Sequence, residues 1–515
     1  MKDSPLILAI DHGTQSVRAL LFDQGGQLVG CGQVKSEAGR SNEPGWVEHE
    51  VEDYWQGVGR ACRRLWREGH DPARVAGLAV TTQRGTQICL DAQGQALRSA
   101  ISWVDRRRVD CRALPAMPLH WRALIAASGR TAALRHLREN AECNWLAVHE
   151  PGRWRRTAHF LGLSGYLNLR LTGRAVDSAA SQVGYLPFDY RRRAWARAGS
   201  WHWHALAVRR RQLPELIDPG RPLGKLTASA AAHIGLHAGL PVMAAGADKA
   251  CELLGAGVGE GGTACISYGT RSTLSVHSSR YFEAIGRMPA YPAALPGGYM
   301  VEAAVPRGFW MVSWFKREFG LPEQRLAEET GTAVEALLDR LVEQAPPGSL
   351  GLVLQPYWGR DIEPGPEARG AVIGFSEEHT RAHLYRAILE GIAYALRAGS
   401  EAIERRGRRR IDRLRVVGGG AQSDAVLQIT ADVFGLPVER ARTHEASGLG
   451  AAILAAAGLD WYADPDAAMI AMTRPGRRFE PDPDAHAVYD ALHRRVYRRL
   501  YGRLAPLYRA IGEIT

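Results

Sequence analysis

Two short segments of this chain, Asp11-His12-Gly13-Thr14-Gln15-Ser16-Val17-Arg18 and Tyr268-Gly269-Thr270-Arg271-Ser272, combine small residues with hydroxyls and a guanidinium. Such turns suit a phosphate tail, which needs several N–H donors converging at short range with no bulky Cβ in the way. The first also carries a carboxylate, Asp11, able to hold a hydrated Mg²⁺. A third segment, Pro241-Val242-Met243-Ala244-Ala245-Gly246-Ala247-Asp248-Lys249, reads as strand, glycine turn and then a helix that begins at an aspartate. That aspartate is either a helix cap or a proton acceptor. The fourth, Gly418-Gly419-Gly420-Ala421-Gln422-Ser423-Asp424, follows a strand and is either a tight turn or a backbone surface for a flat ligand. No G-x-x-x-x-G-K-S/T loop occurs, and the glycine pattern from Gly257 to Gly262 leads into a strand instead of following one, which argues against a dinucleotide site. His202 and His204 lack a third ligand at metal spacing and read as structural.

These segments need elements to hold them. Apolar runs over 6–10 and 17–22 flank the first turn, and runs over 263–267 and 273–276 flank the second. The repeated grammar suggests a duplicated architecture. Helical patterns over 52–67, 154–171, 380–399 and 424–434, with a strand at 414–417, predict an α/β fold with parallel or mixed sheets. The Pro/Gly-punctuated run ending at Gly239-Leu240-Pro241 places the domain boundary between 1–240 and 241–515. The spacing of Tyr489, Leu492, Val496, Leu500, Leu504 and Leu507 predicts a C-terminal packing helix over 484–511.

Composition narrows the class. A chain of 515 residues, 46% hydrophobic and 23% charged, is long enough for two or more cores. Its seven cysteines are scattered with no C-x-x-C pair, the pattern of reduced thiols in a cytoplasmic protein. The N-terminal apolar run enters directly into a turn, and no apolar stretch approaches the roughly 18 residues of a membrane span, so neither export signal nor membrane is expected. The net charge of +11 lies largely in arginine clusters at 191–193, 209–211 and 405–410. The last has no interleaved aromatics to stack bases, so solvated faces and phosphate steering are expected, not nucleic acid.

In order along essentially the whole chain, the motifs resemble the FGGY family of carbohydrate kinases, within the actin and heat-shock ATPase superfamily. They are the first hairpin, Pro44-Gly45-Trp46-Val47-Glu48, Thr82-Gln83-Arg84-Gly85-Thr86, Ser102-Trp103-Val104-Asp105-Arg106-Arg107, Leu171-Thr172-Gly173, the Asp248 segment and the Gly269-Thr270 hairpin. Gly370 to Phe375, His383 to Glu390, Gly418 to Gln428 and Ala446 to Ala452 complete the set. Phe375 replaces a usual aliphatic residue, Glu142 stands where the family usually has lysine, and Gly165 where aspartate is common before Tyr166-Leu167.

The resemblance implies two actin-like (ribonuclease H-like) domains, with mixed sheets flanked by helices and a nucleotide cleft between them. It implies ATP and Mg²⁺ as cofactors and a small sugar or polyol as partner, with no nucleic acid or membrane. A homodimer is left open. Asp248 is then the catalytic base and Asp11 the metal-side carboxylate. Gly13, Thr14, Gln15, Ser16, Arg18, Gly269 and Thr270 line the phosphates, and Gly419, Gly420 and Ser423 lie against the adenosine. Gln83, Arg84, Trp103, Asp105 and Lys249 join Asp248 at the acceptor. The glutamate that follows the arginine in glycerol kinases is Gly85 here, which suggests a ketopentose, hexose or longer polyol. The alternative is an actin-like ATPase or regulatory nucleotide-binding protein without a sugar, which would need neither Asp248 nor Trp103.

Overall fold

The strand Leu6–His12 is buried along its whole length, as its nearly continuous apolar run requires of a strand covered on both faces. In the computed structural model, which describes residues 4–514 apart from 42, 287, 359–364 and 366, this strand is central to a six-stranded sheet. Residues 1–3, part of the N-terminal stretch read above, lie outside the described residues. The sheet order is Leu28–Lys35, Ser16–Phe22, Leu6–His12, Val75–Thr82, Pro241–Met243 and Pro222–Lys225. Leu6–His12 pairs antiparallel with Ser16–Phe22 and parallel with Val75–Thr82, and Val75–Thr82 pairs parallel with Pro241–Met243. One face packs on the helix Val51–Arg67, through residues including Tyr54, Trp55, Val58 and Leu65, and on the helix Leu163–Thr172. The other face packs on the helix Asp248–Gly255 and on Leu449, Ile453 and Leu454.

The chain forms two compact units. The first comprises Met1–Gly257, Tyr291–Tyr299 and Ser447–Thr473; the second comprises Val258–Ala290, Met300–Ala446 and Arg474–Thr515. The change of unit thus falls after Gly257, not at the Pro/Gly run near 240. Residues 241–243 form a strand of the first sheet, with Val242 opposite Leu78, and the helix that follows lies in the same core.

The second unit repeats the plan of the first. Thr263–Tyr268 pairs antiparallel with Ser272–Ser278 and parallel with Arg413–Val417, which pairs parallel with Val438–Ala441, and Pro475–Phe479 closes that side antiparallel. Each unit is therefore a hairpin extended by two parallel strands and an antiparallel edge, as the repeated turns suggested.

At the C-terminus the expected single helix is interrupted. Pro483–Leu492 runs into a π-helical turn, His493–Tyr497, before Arg498–Ile514. The wide turn advances the buried face, so Tyr489, His493, Tyr497, Leu500, Ala505 and Tyr508 point inward while Leu507 is 58% exposed.

Helix Ala446–Gly458 approaches the Asp248 helix closely enough that any side chain at Gly450 would overlap the backbone carbonyl of Cys251. Gly450→Ala is therefore expected to destabilise the protein by about 1–3 kcal/mol, the usual cost of overpacking, read as a lower midpoint of thermal unfolding. An unchanged midpoint would show that the two helices can part freely.

Candidate active site

Three neighbouring parallel strands end together. Leu6–His12 runs into Gly13-Thr14, Val75–Thr82 into Gln83-Arg84, and the strand from Pro241 into Ala247-Asp248. Their register is fixed by His12 opposite Thr82, by a bridge between Thr82 and Ala247, and by the Thr81 hydroxyl, which donates to the Gly246 carbonyl at 2.9 Å. The Gln83 amide donates to the His12 carbonyl at 3.0 Å, and the Thr14 hydroxyl donates to Gln83 Oε1 at 2.6 Å. Trp103 Nε1 in turn donates to the Thr14 hydroxyl at 3.0 Å, while 44% of Trp103 remains exposed.

Asp248 opens its helix, with Oδ1 accepting from the Lys249 amide at 2.7 Å and Arg84 Nε 3.8 Å away. Surrounding protein raises its pKa from the ordinary aspartate value, opposed by the charges of Arg84 and Lys249. The positive end of the helix adds to that opposition. The side chain keeps 28% of its surface, so a substrate hydroxyl can reach it. Lys249 Nζ is tied to Glu252 at 2.8 Å and shares its charge there.

In the first hairpin the Gly13 amide donates to the Ser16 carbonyl at 3.0 Å, and Gln15 and Thr14 lie at the exposed tip. Asp11 and Ser16 are buried, and Arg18 Nη1 is 3.7 Å from Asp11 Oδ2. Behind the turn lies the imidazole of His12, edge-on to Tyr54 at 5.2 Å, with burial lowering its pKa to about 4 and keeping it neutral beneath a phosphate-type turn. Among the described residues no three His, Cys, Asp or Glu side chains cluster to hold a metal. A lone carboxylate fits Mg²⁺, which keeps several waters and takes its other ligands from phosphate oxygens.

Asp105 has another occupation. Its Oδ1 accepts from the backbone amide and Nε of Arg107 at 2.8 and 2.9 Å, and its Oδ2 from the Val47 amide and Arg107 Nη2 at 2.7 and 2.8 Å. Both side chains are 2% exposed, and the guanidinium packs over the rings of Trp46 and Trp145, which meet edge-to-face, and bonds Glu48. The carboxylate that sequence reading assigned to the acceptor instead anchors the loop that carries Trp103. Gly85 has φ +80, a conformation side chains resist, and a side chain there would touch Trp103. A side chain at Gly184 would come within contact distance of the Gly85 backbone.

The second unit brings its own candidates together. Gly269 and Thr270 turn the hairpin, and their carbonyls accept from the Phe309 and Trp310 amides at 3.0 and 3.4 Å. The glycine turn lies against this hairpin, because side chains at Gly418 and Gly420 would run into Tyr268 and Phe309, whereas Gly419 faces open space. Ser423 caps the helix Asp424–Phe434 and donates to Asp339 Oδ1 at 2.6 Å. The sequence reading did not identify Asp339, Glu48, His12 or Tyr291, the last packed on Arg84. His12 and Glu48 carried a signal, their places inside the first hairpin and the Pro44–Glu48 motif.

Residues 6–255 match the N-terminal domain of the FGGY family of carbohydrate kinases, and residues 264–459 match its C-terminal domain. A xylulose kinase of Staphylococcus epidermidis is 26% identical over 518 residues, covering 99% of each chain. A glycerol kinase of Methylibium petroleiphilum is 30% identical over 502 residues, covering 92% of this chain and 95% of that one. The crystal structure of xylulose kinase from Rhodospirillum rubrum superposes with a TM-score of 0.80 at 27% identity, covering 98% of this chain and all of that one.

Removing Asp105 would leave Arg107 buried without its main partner. Asp105→Ala is expected to lower stability by about 3–5 kcal/mol. Thermal unfolding reads the loss, and a midpoint equal to wild type would mean that the carboxylate is not the anchor of this loop.

Proposed function

The chain belongs to the FGGY family of carbohydrate kinases, and on that premise we propose that Asp248 is the base that activates a sugar hydroxyl for attack on the γ-phosphate of ATP. The observation that carries this reading is the recessed Asp248 carboxylate, 28% exposed and 3.8 Å from Arg84, at an edge shared with the phosphate-type turn.

Phosphoryl transfer asks for little covalent chemistry from the protein: the hydroxyl must be held in line, its proton accepted and the phosphate charge matched. Asp248 accepts the proton, and Arg84 orients the acceptor and opposes the burial that raises the Asp248 pKa. Thr14, fixed between Gln83 and Trp103, holds the phosphate turn in register with the acceptor loops. Gly13, Gln15, Ser16 and Arg18 of the first unit bind the phosphate tail, and Gly269 and Thr270 give the second unit a phosphate-type turn of its own. Gly419 and Gly420 lie against the adenosine, with Ser423 setting their turn. Mg²⁺, held through water by Asp11, would supply charge neutralisation at the polyphosphate.

The acceptor is proposed to be a ketopentose. Gly85 and Gly184 lie close together beside Arg84 and leave the Trp103 face uncovered, which favours a carbon skeleton longer than glycerol. Relatives described as xylulose kinases support this choice.

Asp248→Asn should lower kcat by about 10²–10⁴ while ATP still binds, as expected for loss of a general base. Because its pKa is raised, wild-type kcat should fall on the acid side through an apparent pKa above that of an ordinary aspartate, and stay high above it. A variant within about threefold of wild type would remove Asp248 from the mechanism. In a panel of D-xylulose, other ketoses, aldoses, polyols and glycerol, a ketopentose should exceed glycerol in kcat/KM by about tenfold or more. Glycerol as the best substrate would overturn the assignment of the acceptor.

A further inference from the structure

In the second unit the Arg307 guanidinium carbon lies 5.2 Å from the centre of the Trp310 ring, and among the described residues no carboxylate pairs with it. Arg307 and Trp310 are both partly buried. A cation withdrawn from water without a counter-charge is costly, and the ring face beside it offsets only part of that cost. An anion seated next to it would offset the rest. The backbone places this cation at the second hairpin. The Phe309 and Trp310 amides donate to the carbonyls of Gly269 and Thr270 at 3.0 and 3.4 Å. Gly308 lies so close to the hairpin that a side chain there would overlap Ser272, which has no exposed surface. Residues 307–310 are therefore fastened to the Gly269-Thr270 turn. The helix Trp310–Phe319 begins at the same point with no acidic residue in its first turn, so its positive end adds to the charge of Arg307.

We propose that Arg307 is a nucleotide-binding residue of the second unit, its guanidinium neutralising the polyphosphate of ATP beside the Gly269-Thr270 turn. A planar guanidinium offers a phosphate two parallel N–H donors, and stacking on Trp310 limits the freedom it loses when the phosphate arrives. The glycine turn assigned to the adenosine lies against the same hairpin, since side chains at Gly418 and Gly420 would run into Tyr268 and Phe309. One short stretch, 307–309, thus touches the phosphate-type turn and the adenosine-side turn, with the cation at its start. Arg307 falls outside every motif that the sequence offered, and it is the folding of 306–310 onto the hairpin that brings it into play. The proposal rests on the nucleotide half of the kinase reading given above.

The test is calorimetric titration of the full chain with Mg-ATP and, separately, with adenosine, comparing Arg307→Met and Arg307→Lys with wild type. Methionine keeps an apolar stem on the ring without the charge, so its Kd for ATP should rise about tenfold or more while that for adenosine stays within about twofold. Lysine keeps the charge and loses the fork, and should weaken ATP by about threefold. With D-xylulose as acceptor, the KM for ATP should rise in step and the KM for the sugar hold within about twofold. Wild-type affinity for ATP in the methionine variant would overturn the proposal, as would equal losses in the methionine and lysine variants. Equal losses for ATP and adenosine would mean that Arg307 only shapes the fold. If the methionine variant does not fold, Arg307→Lys decides alone, by whether ATP weakens while adenosine does not. Wild type that binds ATP but phosphorylates no sugar or polyol would overturn the acceptor reading and leave the comparison of variants standing, whereas wild type that binds no ATP would overturn both.

Discussion

Everything proposed for the first unit depends on how three short strands pair. Leu6–His12, Val75–Thr82 and Pro241–Met243 run parallel, so their carboxyl ends emerge at one edge, and each delivers a different group there. In open α/β sheets that edge is where ligands bind, because the backbone stops pairing and side chains of neighbouring turns converge. A slip of one residue between the first two strands would exchange the faces of Leu6–His12, all of whose side chains are buried, and would pull Gln83 away from Thr14. Burial thus fixes the register, and register fixes the site.

Around Asp248 opposing electrostatic effects compete, and burial prevails. Burial favours the neutral acid; Arg84, Lys249 and the start of the helix favour the carboxylate. Lys249 divides its charge with Glu252, which leaves the geometry of Arg84 with more influence than the count of charges suggests. The role proposed for Asp248 needs both sides of this competition: too strongly paired, it would not accept a proton; too deeply buried, it would never lose one.

Much of this was legible in the sequence because turns advertise themselves. Glycine and hydroxyl residues between apolar runs marked both hairpins, and the glycine turn at 418–420 and the aspartate after Ala247 lie where those patterns placed them. What could not be read was which side chains meet. Asp105 bears the same letter whether it faces a sugar or Arg107, and only the packing of Trp46 and Trp145 against that arginine decides it. Gly85 was read as a missing carboxylate, but its positive φ adds a backbone reason for glycine. A side chain at Gly165 would touch the Asp177 carboxylate, which accepts from Ser164, Asn168 and Gln182. The acidic group beside Gly165 thus comes from the following strand, Val176–Ser178, a meeting that no local pattern reveals. At the C-terminus the π-helical turn broke a periodicity that a regular helix would have kept.

The chain path of the first unit has a consequence for its synthesis. The face of the sheet formed by Ile7, Ala9, Leu20, Phe22, Ala79 and Met243 is covered in part by Leu449, Ile453, Leu454, Met469 and Met472. Those residues leave the ribosome only after most of the second unit has been made. A nascent chain whose first-unit strands have emerged still lacks this part of its cover, and it must carry that apolar face through the translation of about two hundred further residues before the cover arrives. Such a surface is a binding site for chaperones and a liability for aggregation during that interval. The time spent translating the second unit then bears on how long this apolar face stays exposed.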